Sequence, residues 1–206
     1  MELQQKPVQL KNLGTLTLFF AVPLFFAFTL YLIYIEDDVY RIVMGCLSII
    51  GILIPRLLYT FTFWRKHITE NALGLIEVFL VIVLAQNGAG AMGLYLQWQY
   101  YDLVLHVTGP LMCGYITAVL LESHMHPRVG DHLARVRWAA IGITIFCIFA
   151  WEVYEWFGDL VFNTHMFGQE GEEYDTLYDI LAGIAAMFPL YWLIGRFHKK
   201  GSISIR

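Results

Sequence analysis

The chain has 206 residues, of which 58% are hydrophobic, 16% aromatic and only 15% charged. Soluble domains carry about 25% charged and about 45–50% apolar residues, so this composition excludes an ordinary soluble domain and indicates an integral membrane protein. The net charge of −4 excludes little, because basic and acidic residues are distributed very differently along the chain.

Six apolar segments follow one another along the chain, and each is long enough to cross a bilayer, which takes about 20 largely apolar residues. The predicted spans are 13–35, 41–63, 74–97, 102–121, 138–157 and 176–195. We expect the first span to remain as a helix and not to be cleaved as a signal peptide. The connections are short, so the sequence predicts an all-α, polytopic membrane helical bundle that forms a single integral membrane domain over residues 1–206.

The distribution of Lys and Arg predicts the orientation of the bundle. Of the 13 basic residues, all except Arg41 and Arg56 fall on the side that holds both termini. Because Lys and Arg concentrate in cytoplasmic loops, both termini are predicted to be cytoplasmic, in a multi-pass protein of the cell (inner) membrane. Basic residues scattered through such loops are topology signals, so we expect no nucleic-acid partner.

Acidic residues accumulate on the predicted outer side, opposite the two termini. Twelve of the 17 Asp and Glu residues map there, with Arg41 as the single arginine nearby. Asp and Glu contribute little to topology, so this excess needs its own explanation. Ionisable groups inside a membrane are costly, and a cluster of them indicates a functional site.

Three of the predicted spans carry acids at helical spacing, together with one histidine. The groups are Asp102-x3-His106, Glu152-x2-Glu155-x3-Asp159 and Asp175-x3-Asp179, with Glu173 beside the last. Asp102 and Asp175 fall near helix N-termini, where the helix dipole favours an anion. The fifth span runs the other way, so its acids lie near a C-terminus, where the dipole disfavours them and their like charges repel. Capping therefore does not explain this stripe.

A bound cation is one of three ways to account for these acids. The others are protonated carboxylates in a transport pathway and polar packing that only fixes the helices. Metal sites in helical bundles are built from inward Glu and His side chains of facing helices. The candidate metal ligands are Asp102, His106, Glu152, Glu155, Asp175 and Asp179. Oxygen ligands with one imidazole suit Mg²⁺, Mn²⁺, Ca²⁺, Fe²⁺ or Zn²⁺, so the expected cofactor is a divalent metal ion of open identity.

The same segments form three longer motifs. They are Tyr101-Asp102-x3-His106-x2-Gly109, Trp151-Glu152-x2-Glu155-Trp156, and the run from Gly168 to Asp179. Through them the second half of the chain resembles the YjdF-like family of bacterial inner-membrane proteins, whose function is uncharacterised. In the last motif Glu172 replaces the usual Asp and Tyr174 the usual Trp. A weaker resemblance is to VanZ-like proteins, a family linked with glycopeptide tolerance. The resemblance implies that these motifs form the site, and it implies no reaction.

The leading hypothesis is therefore a metal-dependent membrane enzyme or binding protein that acts on a lipid or envelope-linked substrate. Its partners would be membrane lipid and a lipid-linked substrate, and no catalytic residue can be assigned. The alternatives are a proton- or cation-coupled transporter or channel, and a structural membrane protein. The sequence does not decide whether the protein is an enzyme.

Three further features are predicted to shape the bundle. Arg56 and Glu77 are expected to pair across a helix interface, as intramembrane charges usually do. Gln86 and the glycine-rich stretch after it are expected to form a mid-helix packing face. Pro110 is expected to kink the fourth helix and to free a main-chain carbonyl near His106.

Overall fold

The computed structural model describes residues 10–35, 39–94, 97–98, 100–124, 132–162 and 174–199. Within these ranges the chain is helical and contains no strand. The helices are α1 (Leu10–Ile35), α2 (Val39–Phe61), α3 (Glu70–Ala89), α4 (Tyr101–His124), α5 (His132–Phe162), α6 (Asp175–Ala185) and α7 (Met187–Lys199). A short 3-10 turn, Phe63–Lys66, connects α2 to α3.

Six helical stretches of the described chain are long and apolar enough to cross a membrane. Five are α1 to α5, and the sixth combines α6 and α7 in the stretch Asp175–Arg196. The predicted all-helical polytopic bundle is therefore confirmed. The cytoplasmic location of the termini and the single-domain organisation stay predictions.

The third predicted span differs from the observed helix at both ends. Helix α3 begins early, at Glu70, because the Thr69 side chain caps it by accepting a hydrogen bond from the Ala72 N–H at 3.2 Å. It ends at Ala89 and passes into a π-helical turn, Gly90–Leu94, in which Gly93 has φ 102°. That conformation favours glycine, so the helix ends within the glycine-rich stretch, and the predicted mid-helix position of this stretch is wrong. Gly88, still inside α3, does lie close to another helix, since a Cβ there would be 3.8 Å from the Phe28 ring of α1.

The sixth span is divided in two by a proline. Pro189 has no N–H to donate to the carbonyl of Ala185, four residues earlier, and α6 ends at that residue. Main-chain hydrogen bonds of 3.1 Å from Ala186 to Ala182 and from Leu190 to Ala186 carry the chain across the break.

Helix α4 lies at the centre of the second half of the bundle. It contacts α3, α5, α6 and α7. Its inward side chains Tyr115 and Ala118 are fully buried, as are Leu190 and Ile194 of α7. This arrangement places the Asp102–His106 end of α4 between the two helices that carry the remaining acids of the predicted site.

A partly buried ion pair joins the first three helices: the Glu77 side chain is fully buried and the Arg56 side chain is 34% exposed. Arg56 of α2 donates from Nε and Nη2 to the two carboxylate oxygens of Glu77 on α3, at 2.7 and 2.6 Å. Glu77 is fully buried, and Arg56 Nη2 also lies 3.2 Å from the hydroxyl of Thr15 on α1. The predicted pairing of Arg56 with Glu77 is confirmed.

Candidate functional site

His106 is the centre of a polar cluster on α4. Its imidazole is 6% exposed. Nε2 lies 3.6 Å from Asp102 Oδ1, one helical turn away on α4, and 3.8 Å from Asp179 Oδ2 on α6. Nδ1 lies 3.6 Å from Glu152 Oε1 on α5. Both ring nitrogens therefore face carboxylates.

Helix α5 supplies the other side of the cluster. Glu152 and Glu155 are separated by one turn of α5, which aims both into the bundle, and they are 5% and 7% exposed. The indole N–H of Trp151 donates to Glu155 Oε1 at 2.7 Å. The sequence analysis does not identify this role of Trp151, although Trp151 lies four residues before Glu155, the spacing at which helical side chains meet.

Two overlapping groups in this cluster bring possible ligand atoms close to one another. Asp102, His106 and Asp179 form one, and His106, Glu152 and Glu155 form the other. In each group one ligand atom per residue lies within 4.8 Å of the others. We refer to the five residues together as the His106 cluster. Five of the six predicted ligands thus come together, and their role as ligands stays a prediction.

Asp175, the sixth predicted ligand, belongs to neither group. It is the first residue of α6 and is only partly buried, which is the position expected for an acid at a helix N-terminus. It is still close enough to Glu152 to add to the negative charge around that side chain. The neighbouring motif residues from Gly168 to Glu173 lie outside the described residues.

Among the side chains that the structure describes, no lysine or arginine balances the charge of the His106 cluster on its α5 side. Within the described residues, neither Glu152 nor Glu155 forms an ion pair with Lys or Arg. Glu152 Oε1 is enclosed by protein and accepts no hydrogen bond from any described residue. His106 Nδ1, at 3.6 Å, is beyond ordinary hydrogen-bond distance. A buried carboxylate oxygen that accepts no hydrogen bond is costly, so a proton, a cation or a bound donor would stabilise it.

Two polar contacts join α4, the helix that carries His106, to α3. The Tyr101 hydroxyl donates to the main-chain carbonyl of Gln86 at 2.6 Å, and the Thr108 hydroxyl lies 3.1 Å from Gln86 Oε1. Thr108 is a residue that the sequence analysis missed. Its signal was weak, because a threonine two residues after His106 is unremarkable until the position of α3 is known.

The backbone next to His106 is also unusual. Helix α4 continues through Pro110 without interruption. Proline has no N–H, so the main-chain carbonyl of His106, four residues earlier, lacks its ordinary helical donor. A Cβ added at Gly109 would meet no atom within 4 Å. The chain next to His106 therefore combines a freed main-chain carbonyl with unfilled space beside Gly109.

Comparison with protein families gives one finding. The family model described as "Predicted membrane protein (DUF2238)" matches residues 16–200. Comparisons with curated proteins and with solved structures give no significant match.

Proposed function

The chain belongs to the DUF2238 family of membrane proteins, and from that premise we propose that it binds a divalent metal ion at the His106 cluster and acts on a lipid or envelope-linked substrate. The single observation that carries the proposal is Glu152 Oε1. This oxygen is buried, accepts no hydrogen bond within the described chain, and faces an imidazole shared with other acids.

Charge balance supports a cation at this position. Four carboxylates surround one imidazole, and even a protonated imidazole supplies a single positive charge. A divalent ion would neutralise two carboxylates and would accept both carboxylate oxygens and an imidazole nitrogen as ligands. Such an ion activates bound water or polarises a phosphoryl oxygen.

The protein's own groups would orient these ligands. The Trp151 indole holds Glu155 through a hydrogen bond of 2.7 Å. The Asp102 carboxylate is the most accessible of the acids in the cluster, with 30% of its side chain exposed. A substrate that reaches the site would therefore approach from the Asp102 side, near the start of α4.

The same proposal includes a likeness to the YjdF-like family, an inner-membrane location and cytoplasmic termini. The YjdF-like character rests on the Tyr101, Trp151 and Asp175 motifs. The inner-membrane location and the cytoplasmic termini rest on the distribution of Lys and Arg. On this topology the His106 cluster lies in the outer half of the membrane.

Elemental analysis of the purified protein tests the metal. We expect about one divalent ion per chain in the wild type and strongly reduced metal in Glu152→Gln and His106→Ala. Glu70→Gln is the matched control, since Glu70 is an acid of an exposed pair with Lys11 at 3.2 Å, and it should retain full metal content. A wild type without stoichiometric metal, or equal metal in all four proteins, would remove the proposal.

A proton- or cation-coupled transporter is the second candidate. It is favoured by the polar side chains Gln86 and Thr108, which lie 3.1 Å apart where α3 meets α4. Flux in proteoliposomes that disappears in Asp179→Asn, in a protein without metal, would support transport. A purely structural cluster predicts neither metal nor flux, and a melting temperature that a chelator leaves unchanged.

A further inference from the structure

Arg137 stands at the opposite end of α5 from the His106 cluster, five residues after the helix begins at His132. Its guanidinium lies against α7. Arg137 Cζ is 4.4 Å from the centre of the Tyr191 ring, and Nη2 occupies the place that a Cβ on Gly195 would take. The Tyr191 ring and the space left by the absent side chain of Gly195 thus form a site for the Arg137 guanidinium, which we call the seat.

The seat provides no anion. Within the described part of the chain, Arg137 forms no ion pair and no hydrogen bond, and its Nε is enclosed without an acceptor. The guanidinium is always charged and carries five N–H donors. Leaving such donors unmet is costly, and the residue is only half-buried, so an acceptor can approach from outside the bundle.

The position of Arg137 indicates what that acceptor is. The fifth membrane-crossing stretch, His132–Val161, has 30 residues, or about 45 Å of helix at about 1.5 Å per residue. The hydrocarbon core is about 30 Å thick, so about five residues at each end extend into the headgroup region. Arg137 lies at that boundary.

The surroundings of the seat fit a membrane boundary. Trp138 and Trp192 are 64% and 58% exposed on the outside of the bundle, where aromatic side chains favour the headgroup level. Trp138 packs against Tyr191 with ring centres 5.8 Å apart. Arg196, directly after Gly195, lies with Cζ 4.9 Å from the centre of the Trp192 ring and adds a second positive charge.

We propose that Arg137, seated on Tyr191 and Gly195, binds the phosphate of an anionic phospholipid headgroup. The planar guanidinium matches a phosphate in a bidentate geometry. Basic positions between membrane helices at the cytoplasmic side bind lipid headgroups in the same way. This site is separate from the His106 cluster and does not depend on the function proposed there.

Thermal melting of the purified full chain in detergent tests this site. Phosphatidylglycerol near a 100-fold excess over its Kd should raise the wild-type melting temperature by about 8 °C. Diacylglycerol with the same acyl chains should give no such rise, because it lacks the phosphate. Inorganic phosphate should also give none, because it lacks the acyl chains.

Two variants should lose at least half of the rise. Arg137→Gln removes the charge. Gly195→Ala keeps the charge but places a Cβ where the guanidinium lies, so it tests the seat by a second route. Arg135→Gln is the control, because Arg135 is an exposed arginine one turn away whose change should leave the rise intact.

Three outcomes overturn the proposal. They are a full rise in both Arg137→Gln and Gly195→Ala, an equal rise with diacylglycerol, and a full rise with inorganic phosphate alone. Native mass spectrometry of the wild type adds a measurement that needs no variant. It should retain phosphatidylglycerol and release diacylglycerol, and equal retention of the two contradicts the phosphate site.

Discussion

The imidazole of His106 on α4 and the carboxylate of Glu152 on α5 meet inside the bundle, with Nδ1 and Oε1 3.6 Å apart. The histidine stands on a helix that contacts every helix of the second half. The glutamate brings a charge that lysine and arginine do not compensate within the described chain. The repulsion among the buried carboxylates can therefore be tested by measuring the melting temperature of variants.

Glu152→Gln should stabilise the protein when divalent metal is removed. The change eliminates one of several neighbouring buried carboxylates, and relief of repulsion at this range is on the order of 1 kcal/mol, or about 3 °C in melting temperature. Melting curves recorded in a chelator measure it. With metal present the wild type should have the higher melting temperature, because only the wild type keeps all the proposed metal ligands. If Glu152→Gln melts lower under both conditions, charge repulsion is not the controlling term.

Trp151→Phe should weaken metal binding without emptying the site. The ring is kept, while the N–H that holds Glu155 Oε1 at 2.7 Å is lost. Removing a group that orients a ligand typically lowers metal affinity about 10–100-fold. Competition with a chelator of known affinity gives the change. Trp156→Phe is the matched control, because Trp156 lies on the same helix and is 52% exposed. This variant should bind metal with the affinity of the wild type. A weaker affinity in Trp156→Phe would mean that loss of any tryptophan on this helix weakens binding, and not loss of the hydrogen bond to Glu155.

Arg56→Gln should destabilise the first three helices strongly. It leaves the fully buried Glu77 carboxylate without the two hydrogen bonds it now accepts. Removing one partner of a fully buried pair costs about 3–5 kcal/mol, and because the Arg56 side chain is 34% exposed, we expect the lower end of that range. Denaturant unfolding in detergent provides the measurement.

Two further variants interpret that loss. The double change Arg56→Gln with Glu77→Gln should recover part of the stability, because no buried charge remains. Lys11→Gln breaks the exposed pair with Glu70, in which both side chains are about half exposed, and should cost less than about 1 kcal/mol. Equal losses of unfolding free energy in Lys11→Gln and Arg56→Gln would contradict the view that burial of Glu77 determines the cost of breaking its ion pair.

Gly114→Ala should disturb the contact between α4 and its neighbours. A Cβ there would lie 2.7 Å from the Thr144 hydroxyl oxygen and would overlap the Leu190 side chain. Overpacking of this kind costs about 1–3 kcal/mol. Gly142→Ala is the control on α5, because its Cβ would meet nothing within 4 Å and alanine is the better helix former by about 1 kcal/mol. The two variants should therefore shift the melting temperature in opposite directions.

The sequence predicted the six spans because the membrane requires long apolar stretches, and that requirement is visible residue by residue. It predicted the end of α3 poorly. Whether a glycine-rich stretch continues a helix depends on packing, and here Gly93 with φ 102° terminates it. The fifth helix also begins at His132, six residues before the predicted span, because the water-exposed end of a helix needs no apolar residues.

The site was predictable where helical spacing alone places residues together. Asp102 and His106 share a face because they are one turn apart. Spacing could not distinguish Asp175 from Asp179, since the choice depends on how α6 is rotated against α4. Contacts between distant segments, such as Thr108 with Gln86 at 3.1 Å, also depend on which helices are neighbours, and no local pattern records that.

The two ring nitrogens of His106 face acids on different helices. A neutral imidazole carries a single N–H hydrogen, but carboxylate oxygens lie near both of its nitrogens. Glu152 Oε1 is 3.6 Å from Nδ1, and oxygens of Asp102 and Asp179 are 3.6 and 3.8 Å from Nε2. A neutral ring therefore presents its N–H to one side and a lone pair to the other, so it can offer a donor to Glu152 or to Asp102 and Asp179, but never to both sides at once.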